Sequence, residues 1–163
     1  MLSTSLINEV TAVFESRQRQ LYIAALSVTR ERSSAEDAVQ DALIAIAALQ
    51  TRPTDLEAYF FRTVRNKALH SVKQNNRFDR SMDPTEFLDV KDCSEDQKIL
   101  AAQVAEYLVK LEENTRQVII MKLFADLTFA EIAEIMASSP NTVASWYRRG
   151  ISRLKEQLNE LHV

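Results

Sequence analysis

Asn141, Thr142, Ser145, Arg148 and Arg149 lie together in one short C-terminal stretch, PNTVASWYRRGISRLKEQL. Amide and hydroxyl side chains can donate to and accept from base edges, and guanidinium groups can hold phosphate or a guanine edge. If Val143, Tyr147, Ile151, Leu154 and Leu158 face a core, helical spacing leaves the five polar residues on the open side. A second basic and amide-rich set, Arg62, Arg65, Asn66, Lys73, Asn76 and Arg77, falls opposite an apolar row of Phe60, Val64, Ala68 and Val72. Both sets suit contact with nucleic acid.

Catalytic chemistry is poorly provided for. His70 and His162 are the only histidines, Cys93 is the single cysteine, and no ligand or triad spacing appears among them. The chain has one glycine, which excludes a P-loop, a dinucleotide-binding glycine loop and a nucleophile elbow, since each needs several within a few residues. The expectation is no catalytic residue, no metal and no cofactor.

Helices must position these residues. With one glycine and three prolines in 163 residues, and 46% hydrophobic content, a sheet-rich fold lacks its turn residues while a helical core is well supplied. Residues 5 to 29 keep helical apolar spacing with a break near Ser16. Ser33 with Glu36 reads as a capping box for a second helix that Pro53 ends, and Thr54 with Glu57 caps a third. Ser94 with Gln97 opens a fourth, and a shorter helix passes through Val118, Ile119 and Leu123. Thr128 with Glu131 then caps TFAEIAEIM, and after Ala-Ser-Ser, Ser139 and Pro140 supply an N-cap and first-turn proline for the last helix. This is a helix-turn-helix pattern.

Charge divides the chain. Residues 1 to 80 carry +2, residues 81 to 107 carry −5 and residues 108 to 163 are neutral, within a total of −3. The acidic middle contains a proline and lacks sustained periodicity, as a solvated linker does. The expected architecture is all-α, with two small helical domains at 1–80 and 96–163 joined by a flexible acidic linker at 81–95. No secretory leader and no apolar run of about 20 residues is evident, and a lone cysteine cannot form an internal disulfide. These features lead to the expectation of a cytoplasmic protein without membrane insertion.

The strings SSAEDAVQDALIAIAAL and AYFFRTVRNKALHSVKQNNR resemble region 2 of a bacterial RNA polymerase sigma factor of the sigma-70 family, extracytoplasmic-function (ECF) type. The string LEENTRQVIIMKLFADLTFAEIAEIMASSPNTVASWYRRGISRLKEQL is similar to that family's region 4. Together they cover nearly the whole chain in the family's order. The resemblance implies a subunit that binds core RNA polymerase through the β′ clamp and β flap, recognises minus 35 and minus 10 promoter DNA, and is commonly held inactive by an anti-sigma factor. It assigns polymerase docking to Asp37, Gln40, Asp41 and Ile44, which form one outward stripe suited to a basic helical partner. It assigns the minus 10 element to Tyr59, Arg62, Arg65, Asn66, Lys73 and Arg77, and the minus 35 element to Asn141, Thr142, Ser145, Arg148 and Arg149.

The chain departs from the family pattern at Tyr59, where a tryptophan is usual, at His70, often aspartate, and at Ala144 and Trp146, commonly lysine and arginine. Trp146 is expected to pack on the core. Two other readings stay open on the sequence: a free-standing helix-turn-helix regulator, and a sigma-like interaction protein that has lost promoter reading.

Overall fold

The computed structural model describes residues 4–75 and 94–161. All regular structure among them is helical: α1 (Thr4–Thr29), α2 (Arg32–Ala47), α3 (Leu56–Asn75), α4 (Glu95–Lys110), α5 (Glu113–Phe124), α6 (Phe129–Met136) and α7 (Pro140–Leu161). Helices α1, α2 and α3 pack on one another, as do α5, α6 and α7, with α4 resting on α7. Arg77 and Asn76, Cys93, His162 and most of the expected linker lie outside the described residues.

Local chemistry sets most helix starts. At α4, Ser94 Oγ accepts from Gln97 N while the Gln97 side chain accepts from Ser94 N, and Thr128 and Glu131 do the same for α6. Ser139 Oγ accepts from Thr142 N at 3.1 Å, with Pro140 as the first residue of α7. The turn between α6 and α7 places Ala137 in the left-handed region (φ 52°), a conformation Arg30 and Asp126 also adopt, so no glycine serves these turns.

Two starts differ from the sequence expectation. Helix α2 begins at Arg32 with Glu31 as its N-cap and no side-chain cap. The expected Ser33–Glu36 box does not form, because the helix starts one residue earlier and Ser33 lies inside its first turn; Glu36 Oε1 instead accepts from Arg32 Nε at 3.1 Å. The same helix stops at Ala47, well short of Pro53. At α3, Asp55 Oδ1 accepts from Ala58 N, and the Glu57 carboxylate turns to Arg17 instead of capping with Thr54. The break in α1 is a kink at Arg17 (φ −119°, ψ 15°).

The two helical groups also pack against each other, α1 on α5 and α3 on α6. Residues 23 to 29 of α1 and 115 to 121 of α5 are buried without interruption. Seven consecutive helical residues occupy every face, so each segment is covered on all sides. Helices α2 and α3 cover α1 from one direction, and α5 covers it from another.

Candidate polymerase and nucleic-acid interfaces

On α2 the apolar residues Ala35, Ala38, Val39, Ala42 and Ile46 are buried against the first domain. Helical period then forces Asp37, Gln40, Asp41 and Ile44 outward, and all four are exposed. Ile44 is 67% exposed, a large aliphatic one turn beyond Asp41 and two beyond Asp37. An acidic stripe with one exposed apolar residue can pair with a basic helix and bury a methyl-rich centre.

The expected minus 10 set is distributed differently. Phe60, Val64 and Ala68 are fully buried, which turns Arg62, Asn66 and Lys73 to solvent. Tyr59 is half-buried and lines a groove of about 540 Å³ with Leu49, Pro53, Arg62 and Glu134. Arg65 is not free on the outer face. Its Nε donates to Gln117 Oε1 on α5 at 2.8 Å, and burial pulls the guanidinium down from ordinary arginine values while the Glu113 charge opposes that.

On α7, Val143 is fully buried and Leu154 nearly so, while Tyr147 and Ile151 pack half-buried on the core. Asn141, Thr142, Arg148 and Arg149 are exposed and Ser145 is half-buried, so the five occupy the side facing away from α5. Thr142 Oγ1 lies 2.9 Å from Ser139 Oγ, which orients the hydroxyl at the helix start. Trp146 packs half-buried on the core, as expected. Tyr147 meets Phe129 edge-on at 5.3 Å, holding α7 against α6.

Sequence reasoning passed over the residues that join the two helical groups. Arg17, at the α1 kink, places Nε 2.6 Å from Glu57 Oε1 and Nη2 2.7 Å from Glu131 Oε2, and its guanidinium lies over the Phe61 ring at 5.5 Å. Arg19 Nη1 donates to the Phe124 carbonyl at 2.6 Å. Arg116, completely buried, donates through Nε to the Ser27 carbonyl at 3.2 Å and through Nη2 to Glu113. Arg30 Nη2 approaches Glu113 Oε2 at 3.5 Å. The one visible signal was an arginine immediately before the run QVIIM, three residues after a glutamate.

These pairings set the carboxylates. Burial alone would raise the Glu113 carboxyl, but hydrogen bonds from Arg116 and Gln117 and the charges of Arg116 and Arg30 hold it below the usual range. Glu131 is likewise raised by burial, then carried below its ordinary value by the Thr128 cap bonds and by Arg17.

Among the described residues no helix is long and apolar enough to cross a membrane. The sigma-70 region 2 family model matches residues 13–78, and the sigma-70 region 4 model matches residues 101–154. RNA polymerase sigma factor SigV of Bacillus subtilis (strain 168) is 25% identical over 154 residues, covering 93% of this chain and 91% of that protein. The sigma factor RpoE of Bartonella quintana, solved with the anti-sigma factor NepR, superposes with a TM-score of 0.69 at 22% identity, covering 96% of this chain and 98% of that one. CnrH, solved with the cytosolic domain of CnrY, gives a TM-score of 0.65 at 21% identity, covering 93% of this chain and 88% of that one. Two family regions matched in order along an all-helical chain, with a sigma factor similar over nearly its full length, establish that the chain belongs to the sigma-70 family and is of its extracytoplasmic-function type.

Proposed function

We propose that this chain acts as a sigma factor, joining core RNA polymerase and directing it to promoters through minus 10 and minus 35 elements. Region 2 and region 4 in family order carry that reading. The exposed Asp37, Gln40, Asp41 and Ile44 stripe docks on the β′ clamp, and region 4 engages the β flap. Tyr59, Arg62, Arg65, Asn66, Lys73 and Arg77 meet the minus 10 element: guanidinium and ammonium groups hold phosphates, Asn66 reads a base edge and Tyr59 stacks on an unpaired base. Asn141, Thr142, Ser145, Arg148 and Arg149 enter the major groove of the minus 35 element.

The chemistry of RNA synthesis belongs to the core enzyme, and this chain contributes recognition. It works in the cytoplasm as regions 1–80 and 96–163 joined by an acidic linker at 81–95. Structures similar to it were solved with anti-sigma factors, and an anti-sigma factor is its expected regulator. Run-off transcription with purified core on a template pool, with and without this chain, tests the function. Specific transcripts appear only when the chain is added; their absence, with core active on nicked templates, overturns the reading.

A further inference from the structure

We propose that Trp146 belongs to the minus 35 contact surface, its indole N–H donating to a backbone phosphate at the wall of the major groove. The inference rests on the sigma-factor reading and adds a residue to it. Along α7 run two parallel rows, each spaced four residues and then three: Asn141, Ser145 and Arg148, and beside them Thr142, Trp146 and Arg149. Such spacing stacks the members of a row over successive turns. Each row spans about 10 Å, the length of about three base-pair steps. Five of these six residues are the polar set already given to the minus 35 element. Trp146 is the sixth, and it fills the middle of the second row.

The two rows differ in place. The first lies opposite the buried Val143 and Leu154, and the second follows the edge between that open face and the core. On the other edge Tyr147 packs against Phe129 of α6, so Trp146 stands on the side of α7 away from its helix-turn-helix partner. A row along one edge of a recognition helix faces a groove wall, where the phosphates are, while the central row faces the bases.

The surroundings of Trp146 suit a backbone contact. The indole is half-buried and packs on the core, which holds it in place. Its N–H has no hydrogen-bond partner among the described residues and is not sealed from water. One turn earlier stands the exposed Thr142 hydroxyl, and one turn later the exposed Arg149, which makes no ion pair among the described residues. Hydroxyl, indole and guanidinium thus line up as three donors without a carboxylate between them. An aromatic with one end packed and its polar end wet is the arrangement that serves interfaces. A neutral donor adds affinity on a phosphate but releases no counterion, unlike an arginine at the same place.

The test uses holoenzyme assembled from unlabelled core and the full chain carrying 5-fluorotryptophan. The chain has one tryptophan, so one fluorine resonance reports this position. That resonance should shift on binding a promoter duplex that holoenzyme selects, and stay in place with a promoter fragment truncated downstream of the minus 35 element. In parallel, Trp146→Phe keeps an aromatic ring and removes the N–H, while Trp146→Arg puts a charge in the row. The Phe variant should bind promoter about two- to tenfold more weakly, by the same factor for every minus 35 base variant and with the salt slope unchanged. The Arg variant should steepen that slope by about one. Capture by core should be unchanged in both.

A resonance that stays in place when the full duplex binds, or a Phe variant of wild-type affinity, overturns the contact. A Phe loss that depends on the base at one position overturns the phosphate assignment, and a loss confined to core capture puts Trp146 in a protein interface instead. Circular dichroism checks folding; if either substitution lowers helicity, the fluorine shift, which needs none, decides alone. Holoenzyme that selects no promoter strikes the sigma-factor reading, whereas selective binding with these readouts unmoved strikes the Trp146 contact only.

Discussion

A Cβ built on Gly150 would lie 2.6 Å from Thr115 Cγ2, closer than real side chains approach, so α7 crosses α5 at a point where only glycine fits. The chain's one glycine thus serves no turn. It lets the recognition helix sit directly on the helix that is buried on every side, immediately after Arg149.

Gly150→Ala therefore sets two effects against each other. Alanine gains about 1 kcal/mol of helix propensity over glycine, while overpacking against Thr115 and Ile119 costs about 1–3 kcal/mol. The clash should win, with a net loss of about 1 kcal/mol in urea denaturation. Adding Thr115→Ser, which removes the clashing methyl, should recover most of that loss.

Polymerase docking is tested by Asp37→Arg combined with Asp41→Arg. Both residues are exposed, and neither side chain has a hydrogen bond or ion pair among the described residues, so helicity should be unchanged. Reversed charge facing a basic partner should abolish capture by core enzyme in a pull-down. Wild-type retention would remove α2 from the docking surface.

Arg148 and Arg149 should differ in kind. Replacing a base-reading arginine by alanine costs about 1–3 kcal/mol and relaxes one promoter position, whereas loss of a phosphate contact weakens all sequences alike and reduces the salt slope by about one. Holoenzyme binding to minus 35 variants across a salt series separates the two. Unchanged binding by both alanine variants would remove α7 from the groove.

Stability should fall on acidification in a defined direction. Glu113 and Glu131 have carboxyls held below their ordinary range, so the folded state binds fewer protons than the unfolded chain there. Their contribution is fully present above the ordinary glutamate range and fades as pH falls through the lowered values. Urea midpoints measured downward from neutral pH should show that decline, and Glu131→Gln should make it shallower.

Much of this was legible in the sequence because it is local. The boxes at Ser94 and Thr128 and the cap at Ser139 involve residues three apart, and the apolar rows of α3 and α7 declare their buried faces by period alone. The starts of α2 and α3 differ from the local pattern: α2 begins at Arg32, which leaves Ser33 inside the helix, and at α3 Asp55 caps while Glu57 pairs with Arg17. Arg17 lies forty residues from Glu57 and over a hundred from Glu131, so no local pattern could disclose it. The commitment of Arg65 to Gln117 was hidden for the same reason, since it depends on how two helical groups meet.

The central claim is that promoter recognition belongs to the assembly of this chain with core polymerase. Free, the chain carries a net charge of −3, a neutral C-terminal region and an Arg65 already engaged, so it should hold promoter DNA weakly. Core would fix the two regions at a set separation and make the second contact intramolecular. The decisive measurement is binding of one labelled promoter duplex, selected from a random library by the holoenzyme, to the free chain and to the chain with core at one near-physiological salt concentration. The account predicts tight, sequence-selective binding only with core present. Equally tight and selective binding by the free chain would contradict it and point to a free-standing regulator.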